Sequence, residues 1–180
     1  MEISSPIMGN FSSKRIKAPR TLVRGAPLKK LPEEIINFFS NQNFVIVSTI
    51  DRYGMPHCSC KGLVKIDPEG FVYLFDLYQG KTFDNLKYNP HISITAVDEH
   101  KFKGYCLKGE GKIIKEDEFS PEIIKAWDEK ITGRISQRVI NNIHGEKGHP
   151  RHPEALLPKP QYLIVIKIKE AVNLTPSNLR

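Results

Sequence analysis

Apolar residues are grouped along the chain into short stretches whose spacing is strand-like in some places and helical in others. The strand-like stretches are rich in β-branched and aromatic residues, which favour extended structure. They predict six strands, at 44–50, 55–66, 71–77, 91–98, 104–115 and 162–168. The turn sequences DRYG at 51–54 and DPEG at 67–70 separate the first three, so we expect these to form an antiparallel meander.

Three stretches have helical spacing instead, at 31–41, 80–88 and 120–142. The first has Pro32 at a position that suits a helix start, and the third begins with Ser-Pro-Glu at 120–122. Gly109 and Gly111 interrupt the fifth strand and predict a bulge or a bend there.

Six strands joined by hairpins, with helices at the periphery, predict a mainly β protein. The arrangement favours a small antiparallel barrel, closed or partly closed, because closure removes exposed strand edges. An open α/β sandwich is the alternative.

The net charge of +7 is unevenly distributed. Residues 1–30 carry seven basic and one acidic residues and predict a basic N-terminal arm, whereas residues 31–143 carry a net charge of −2. Because the predicted folded part is slightly acidic, we expect no nucleic-acid partner. We therefore divide the chain into this arm and one domain at 31–180, which contains a His- and Pro-rich loop at 143–161.

Targeting and redox signals are few. No stretch is long and apolar enough for a membrane span, and the N-terminus lacks a secretory apolar core. The three cysteines cannot all pair with one another, so the composition predicts a cytoplasmic protein without a membrane partner.

The most informative chemistry is Gly80-Lys81-Thr82, followed by Asn85 one helical turn later. A helix start exposes unpaired amides and partial positive charge, and Lys81 and Thr82 add an ammonium and a hydroxyl. A phosphate site is one interpretation of this motif, and an ordinary helix start is the other. A Walker motif is excluded, because position 75 is Phe rather than the required Gly.

The order of these motifs resembles the FMN-binding split-barrel superfamily, which includes the pyridoxamine 5′-phosphate oxidases. The resemblance is carried by VIVSTIDRYGMPHCSCKG at 45–62 and FVYLFDLYQGKTFDNLKYNPHISITAV at 71–97. It implies a six-stranded antiparallel Greek-key split β-barrel that binds FMN. It also implies a homodimer with flavin at the subunit interface, and a small-molecule substrate or electron donor.

The resemblance assigns cofactor-binding positions in three segments. The strand along the flavin ring would be 58–61, the ribityl chain or ring edge would lie beside 75–76, and the phosphate would lie at 80–85. The residues implied are Cys58, Ser59, Cys60, Lys61, Phe75, Asp76, Gly80, Lys81, Thr82 and Asn85. No catalytic side chain is implied, because the flavin itself performs the redox step.

Two departures from the oxidases argue against that particular reaction. Cys60 stands where they have Arg, and their Arg-x-His substrate motif is absent from the last strand, although Lys65 matches a lysine that they use. We therefore expect an FMN-dependent oxidoreductase related to them. The alternative hypothesis is an electron-transfer or flavin-holding protein without turnover. A third hypothesis is a binding module for a ligand other than flavin.

Other chemistry-bearing residues have more ordinary interpretations. The spacing of Cys58, Cys60 and Cys106 does not match a zinc site and predicts buried thiols, so we expect no metal. The histidines of the 143–161 loop could bind a metal or cover the flavin. Trp127 is expected to pack in the core or at a dimer interface, with flavin stacking as the alternative.

Overall fold

The computed structural model describes residues 30–76, 79–146 and 162–179. The predicted basic arm, apart from Lys30, and most of the predicted His- and Pro-rich loop lie outside these ranges. No helix in the described part of the chain combines the length and apolar character needed to cross a membrane.

Three α-helices and seven strands make up this part of the fold. In chain order they are α1 (Glu33–Ser40), β1 (Val45–Ile50), β2 (Pro56–Lys61), β3 (Leu63–Ile66), β4 (Phe71–Phe75), α2 (Lys81–Tyr88), β5 (His91–Asp98), β6 (Lys103–Lys115), α3 (Pro121–Ile143) and β7 (Tyr162–Asn173). Short 3-10 helices lie at Glu116–Glu118 and Ser177–Leu179.

The seven strands form one antiparallel sheet in the order β2-β1-β5-β6-β7-β4-β3. Its two edge strands, β2 and β3, are joined by Gly62 alone. A one-residue linker keeps the end of β2 and the start of β3 within about 7 Å of each other. The sheet must therefore curl until its two edges meet at Gly62. The result is a half-barrel, in agreement with the expected split barrel.

The strand count corrects the sequence prediction of six. The single strand predicted at 55–66 is two strands, because β2 pairs with β1 and β3 pairs with β4. These partners lie near opposite ends of the sheet, and Gly62 supplies the bend between them.

Local signals placed the turns and the bulge correctly. Gly54 and Gly70 have φ of 83° and 81°, values that favour glycine, and each closes a hairpin turn. The register between β6 and β7 shifts between Lys108 and Gly109, which confirms the predicted irregularity. A Cβ at Gly109 would lie 2.1 Å from the Lys167 carbonyl oxygen, so only glycine fits.

The core is divided between the two faces of the curled sheet. The larger cluster lies inside the curl, where Ile35 and Phe39 of α1 pack against strand residues such as Ile94 and Ile166. A smaller cluster lies outside, where α3 covers β3, β4 and β7 and contributes the buried Ile123. Trp127 packs at the edge of this second cluster, which confirms its expected packing role.

Candidate functional site

Polar side chains connect helix α2 to the inner face of β1 and β2. Buried Thr49 continues the inward positions of β1, and Ser59 lies on the same face, since it pairs with buried Val47. The hydroxyls of Ser59 and Thr82 are 2.8 Å apart, and Asn85 Nδ2 donates to Thr49 Oγ1 at 2.9 Å. Thr82 and Asn85 are three residues apart, on one side of α2, so this side fastens the helix to both strands.

The start of α2 is open. Gly80 precedes the helix with extended backbone and makes no side-chain cap, and a Cβ added there would meet no atom within 4 Å. The amides of Phe83 and Asp84 donate to the Gly80 carbonyl at 2.9 and 3.3 Å, which leaves the amides of Lys81 and Thr82 without a helical acceptor. Lys81 is exposed beside them. Unpaired amides, an ammonium and free space together suit an anion.

A buried ion pair lies on the same face of the sheet. Lys61 Nζ is 2.6 Å from Asp76 Oδ1, and the side chains are 11% and 0% exposed. Asp76 Oδ2 is also buried and has no hydrogen-bond partner in the described part of the chain. A buried carboxylate oxygen without a donor is costly, so this atom marks a place where a ligand donor would be favourable.

The segment that leads into α2 is strained. Gln79 has φ of 45°, an uncommon value for a residue other than glycine. Such conformations persist where surrounding structure enforces them, often at binding sites. Here the conformation directs the chain from the end of β4 into the open start of α2.

The structure brings together seven of the ten predicted site residues. Three lie on the sheet side of the site, two contact the sheet from α2, and two form the exposed helix start. The first set is Ser59, Lys61 and Asp76, the second is Thr82 and Asn85, and the helix start contributes Gly80 and Lys81.

The side chains of the other three predicted residues point elsewhere. Cys58 and Cys60 alternate with Ser59 and lie on the outer face of β2, where Cys58 Sγ is 3.3 Å from Ser48 Oγ. Both thiols are exposed, so the prediction of buried thiols was wrong for them, because no described element covers this face. Phe75 packs under α3 against Trp127. Within the described ranges, no group of three or more His, Cys, Asp or Glu residues could hold a metal ion.

The backbone of β2 remains available for hydrogen bonding to a ligand. Because β2 is an edge strand, one row of its amides and carbonyls has no neighbouring strand. This edge lies beside Lys61 and can offer hydrogen bonds to a planar ligand.

Sequence reasoning missed Thr49, which receives the Asn85 hydrogen bond. A signal for it existed, since Thr49 continues the inward alternation of Val45 and Val47 and is a polar residue at a core position. A polar group at such a position needs a partner.

Comparison with known proteins identifies a matching family and solved structures with the same fold. The profile of the pyridoxamine 5′-phosphate oxidase family matches residues 31–170. No curated protein sequence matches the chain.

Solved structures share the fold at low sequence identity. HupZ of Group A Streptococcus is 20% identical with a TM-score of 0.55, and the match covers 81% of this chain and 94% of HupZ. A candidate pyridoxamine 5′-phosphate oxidase of Lactobacillus delbrueckii is 16% identical with a TM-score of 0.55, over 80% of this chain and 94% of its own. An FMN-binding protein of Syntrophomonas wolfei is 17% identical with a TM-score of 0.50, over 79% and 83%.

Proposed function

The chain belongs to the pyridoxamine 5′-phosphate oxidase family, and from that premise we propose that it is an FMN-binding oxidoreductase acting on a small molecule. The observation that carries the proposal is the pairing of two features at one place. An uncapped helix start with an exposed lysine lies at one end of α2, and a buried carboxylate with a free oxygen lies on the sheet face that α2 contacts.

The FMN phosphate would bind at the start of α2. Lys81 would provide the positive charge, and the amides of Lys81 and Thr82 would donate hydrogen bonds. The Thr82 hydroxyl and the Asn85 amide would contribute by holding the helix against β1 and β2, because each already has a partner there. Gly80 would leave room for the phosphate oxygens.

The rest of the cofactor would be held by the edge of β2 and by Asp76. The backbone of residues 58–61 would offer hydrogen bonds to the planar ring, and Asp76 Oδ2 would accept one from a cofactor hydroxyl or N–H group. Lys61 would orient the carboxylate through its 2.6 Å contact. When bound, FMN would supply the redox chemistry, so these residues need only bind, orient and adjust the local charge.

We further propose a homodimer that uses the outer face of β1, β2 and β5. Ile46, Ile50 and Val97 are 45%, 38% and 58% exposed there, and Ile46 pairs with Cys60, whose thiol is also exposed. Apolar side chains exposed on one surface favour burial against a second copy. Cytoplasmic location stays a prediction from the sequence.

The substrate class is a small molecule or an electron donor rather than a nucleic acid or a membrane. Lys65, the position that matches the oxidases' substrate lysine, is exposed on β3, and β7 lacks their Arg-x-His motif. We therefore propose a reaction other than pyridoxamine 5′-phosphate oxidation.

The first experiment measures FMN binding to the Lys81→Ala variant. Loss of one charge-assisted hydrogen bond should weaken binding by about 1.5–3 kcal/mol, or about 10- to 150-fold in Kd. Lys87→Ala is the matched control, since Lys87 is an exposed lysine at the other end of the same helix. Equal affinities for wild type and Lys81→Ala would contradict the phosphate assignment.

A second experiment separates the oxidoreductase from a flavin carrier. Anaerobic addition of a nicotinamide donor to the FMN-loaded protein should bleach the flavin band near roughly 450 nm. A preparation that binds FMN but is not reduced by NADH or NADPH would favour the electron-transfer or flavin-holding alternative.

A further inference from the structure

A cavity of about 340 Å³ lies between the first half of α3, the 3-10 helix at Glu116–Glu118, and the strands β4 and β7. Its volume falls within the range of small-molecule sites, roughly 300–1,000 Å³. The cavity is separate from the proposed FMN site. Phe75 lines it, whereas the next residue, Asp76, belongs to the polar set that includes Lys61.

The inner part of the cavity is apolar. Phe75, Ile123 and Leu163 are 5%, 6% and 0% exposed and line it. Two further aromatic residues, Phe119 and Trp127, are half-buried beside them, and the Trp127 ring meets the Phe75 ring edge to face, with centroids 3.6 Å apart. Such a lining favours a flat, apolar body.

The outer part of the cavity carries negative charge without a partner. Glu116 and Asp128 line it, both are exposed, and neither has an ion-pair partner among the described residues. The neighbouring Glu129, by contrast, is 3.9 Å from Lys125. Within residues 115–130, six acidic residues face only three basic ones, although the whole chain has a net charge of +7.

The apolar inner part and the acidic outer part of the cavity together favour one kind of ligand. An apolar body is favoured by the aromatic interior, and a cation is favoured by the carboxylates and by the face of Trp127. A neutral ligand would gain no attraction from the carboxylates, and an anion would be repelled by them. We propose that this cavity binds a small aromatic or aliphatic amine in its protonated form, with the ammonium group between Glu116 and Asp128.

Trp127 makes the proposal directly testable, because it is the single tryptophan of the chain. Titration of the full-length protein with 2-phenylethylamine should produce a saturable change in tryptophan emission and a rise in Tm. The neutral analogue 2-phenylethanol should bind at least tenfold more weakly, and phenylacetate should give no saturable change. The titration is repeated with FMN present, to show that the two sites are independent.

The carboxylates are tested with the double variant Glu116→Gln/Asp128→Asn. Both side chains are exposed, so folding should be preserved, and affinity for the amine should fall at least tenfold. Glu129→Gln is the matched control and should bind as wild type does. The proposal is overturned by equal affinity for amine and alcohol, by no saturable response to the amine, or by unchanged affinity in the double variant. None of these outcomes bears on FMN binding, which is measured separately.

Discussion

The end of β4 places two consecutive residues in opposite environments. Phe75 packs in an aromatic cluster under α3, and Asp76 is buried on the other side and paired with Lys61. The Asp76 side is organised by short hydrogen bonds, at 2.6 to 2.9 Å, that connect β1, β2 and α2. The Phe75 side is held by apolar contact and leaves a cavity.

The difference indicates how one strand end can serve stability and binding at once. On the polar side nearly every group has a protein partner, so little rearrangement is needed when a ligand supplies the missing donor to Asp76 Oδ2. On the aromatic side the proposed binding groups are the carboxylates of Glu116 and Asp128, which have no ion-pair partner among the described residues. We therefore expect the proposed FMN to stay bound on the polar side and the proposed amine to exchange on the aromatic side.

The largest expected effect comes from Phe75→Ala. Truncating a buried Phe costs about 3–5 kcal/mol of unfolding free energy, because apolar contacts are lost and a cavity is enlarged. The measurement is urea unfolding, with FMN affinity determined under native conditions. Affinity within a few-fold of wild type is expected, and a loss as large as that of Lys81→Ala would show that the two faces are not separable.

Asp76→Ala has the second largest expected effect, a loss of about 3 kcal/mol of unfolding free energy, because it leaves the Lys61 charge largely buried without its partner. The double variant Lys61→Met/Asp76→Leu should recover most of this loss, since apolar replacement of a buried pair is often neutral. FMN affinity should remain impaired in both. A double variant that recovers stability and also binds FMN normally would remove Asp76 from the site.

The local parts of this arrangement could be predicted from the sequence. The turns at 51–54 and 67–70, the start of α2 and the irregularity at Gly109 follow from residues adjacent in the chain. Each depends on turn or cap chemistry within a few residues.

Which face of the sheet each side chain occupies could not be predicted, because this depends on the strand register. A shift of one residue sends every side chain of a strand to the opposite face, so a motif that includes both Phe75 and Asp76 does not say which is inward. The break at Gly62 depends on long-range pairing, Val45 with Lys61 and Leu63 with Leu74. The role of Thr49 becomes visible only when α2 is docked on β1.

The smallest expected effect concerns the start of α3, on the aromatic side. The Ser120 side chain and then a backbone amide donate hydrogen bonds to Glu122, and these lower the pKa of its carboxyl below the usual 4.5. A lowered pKa in the folded state means that the ionised group stabilises the fold above pH 4.5, and that this stabilisation is lost as pH falls through the folded-state pKa. Glu122→Gln should therefore flatten the decline of unfolding free energy as the pH falls below 4.5, measured by urea unfolding at each pH. Ser120→Ala should reproduce part of the flattening, because it removes the hydrogen bond that lowers the pKa of Glu122 most. Parallel profiles for wild type and Glu122→Gln would mean that ionised Glu122 does not stabilise the start of α3, and the aromatic side would then depend even less on charge than the polar side does.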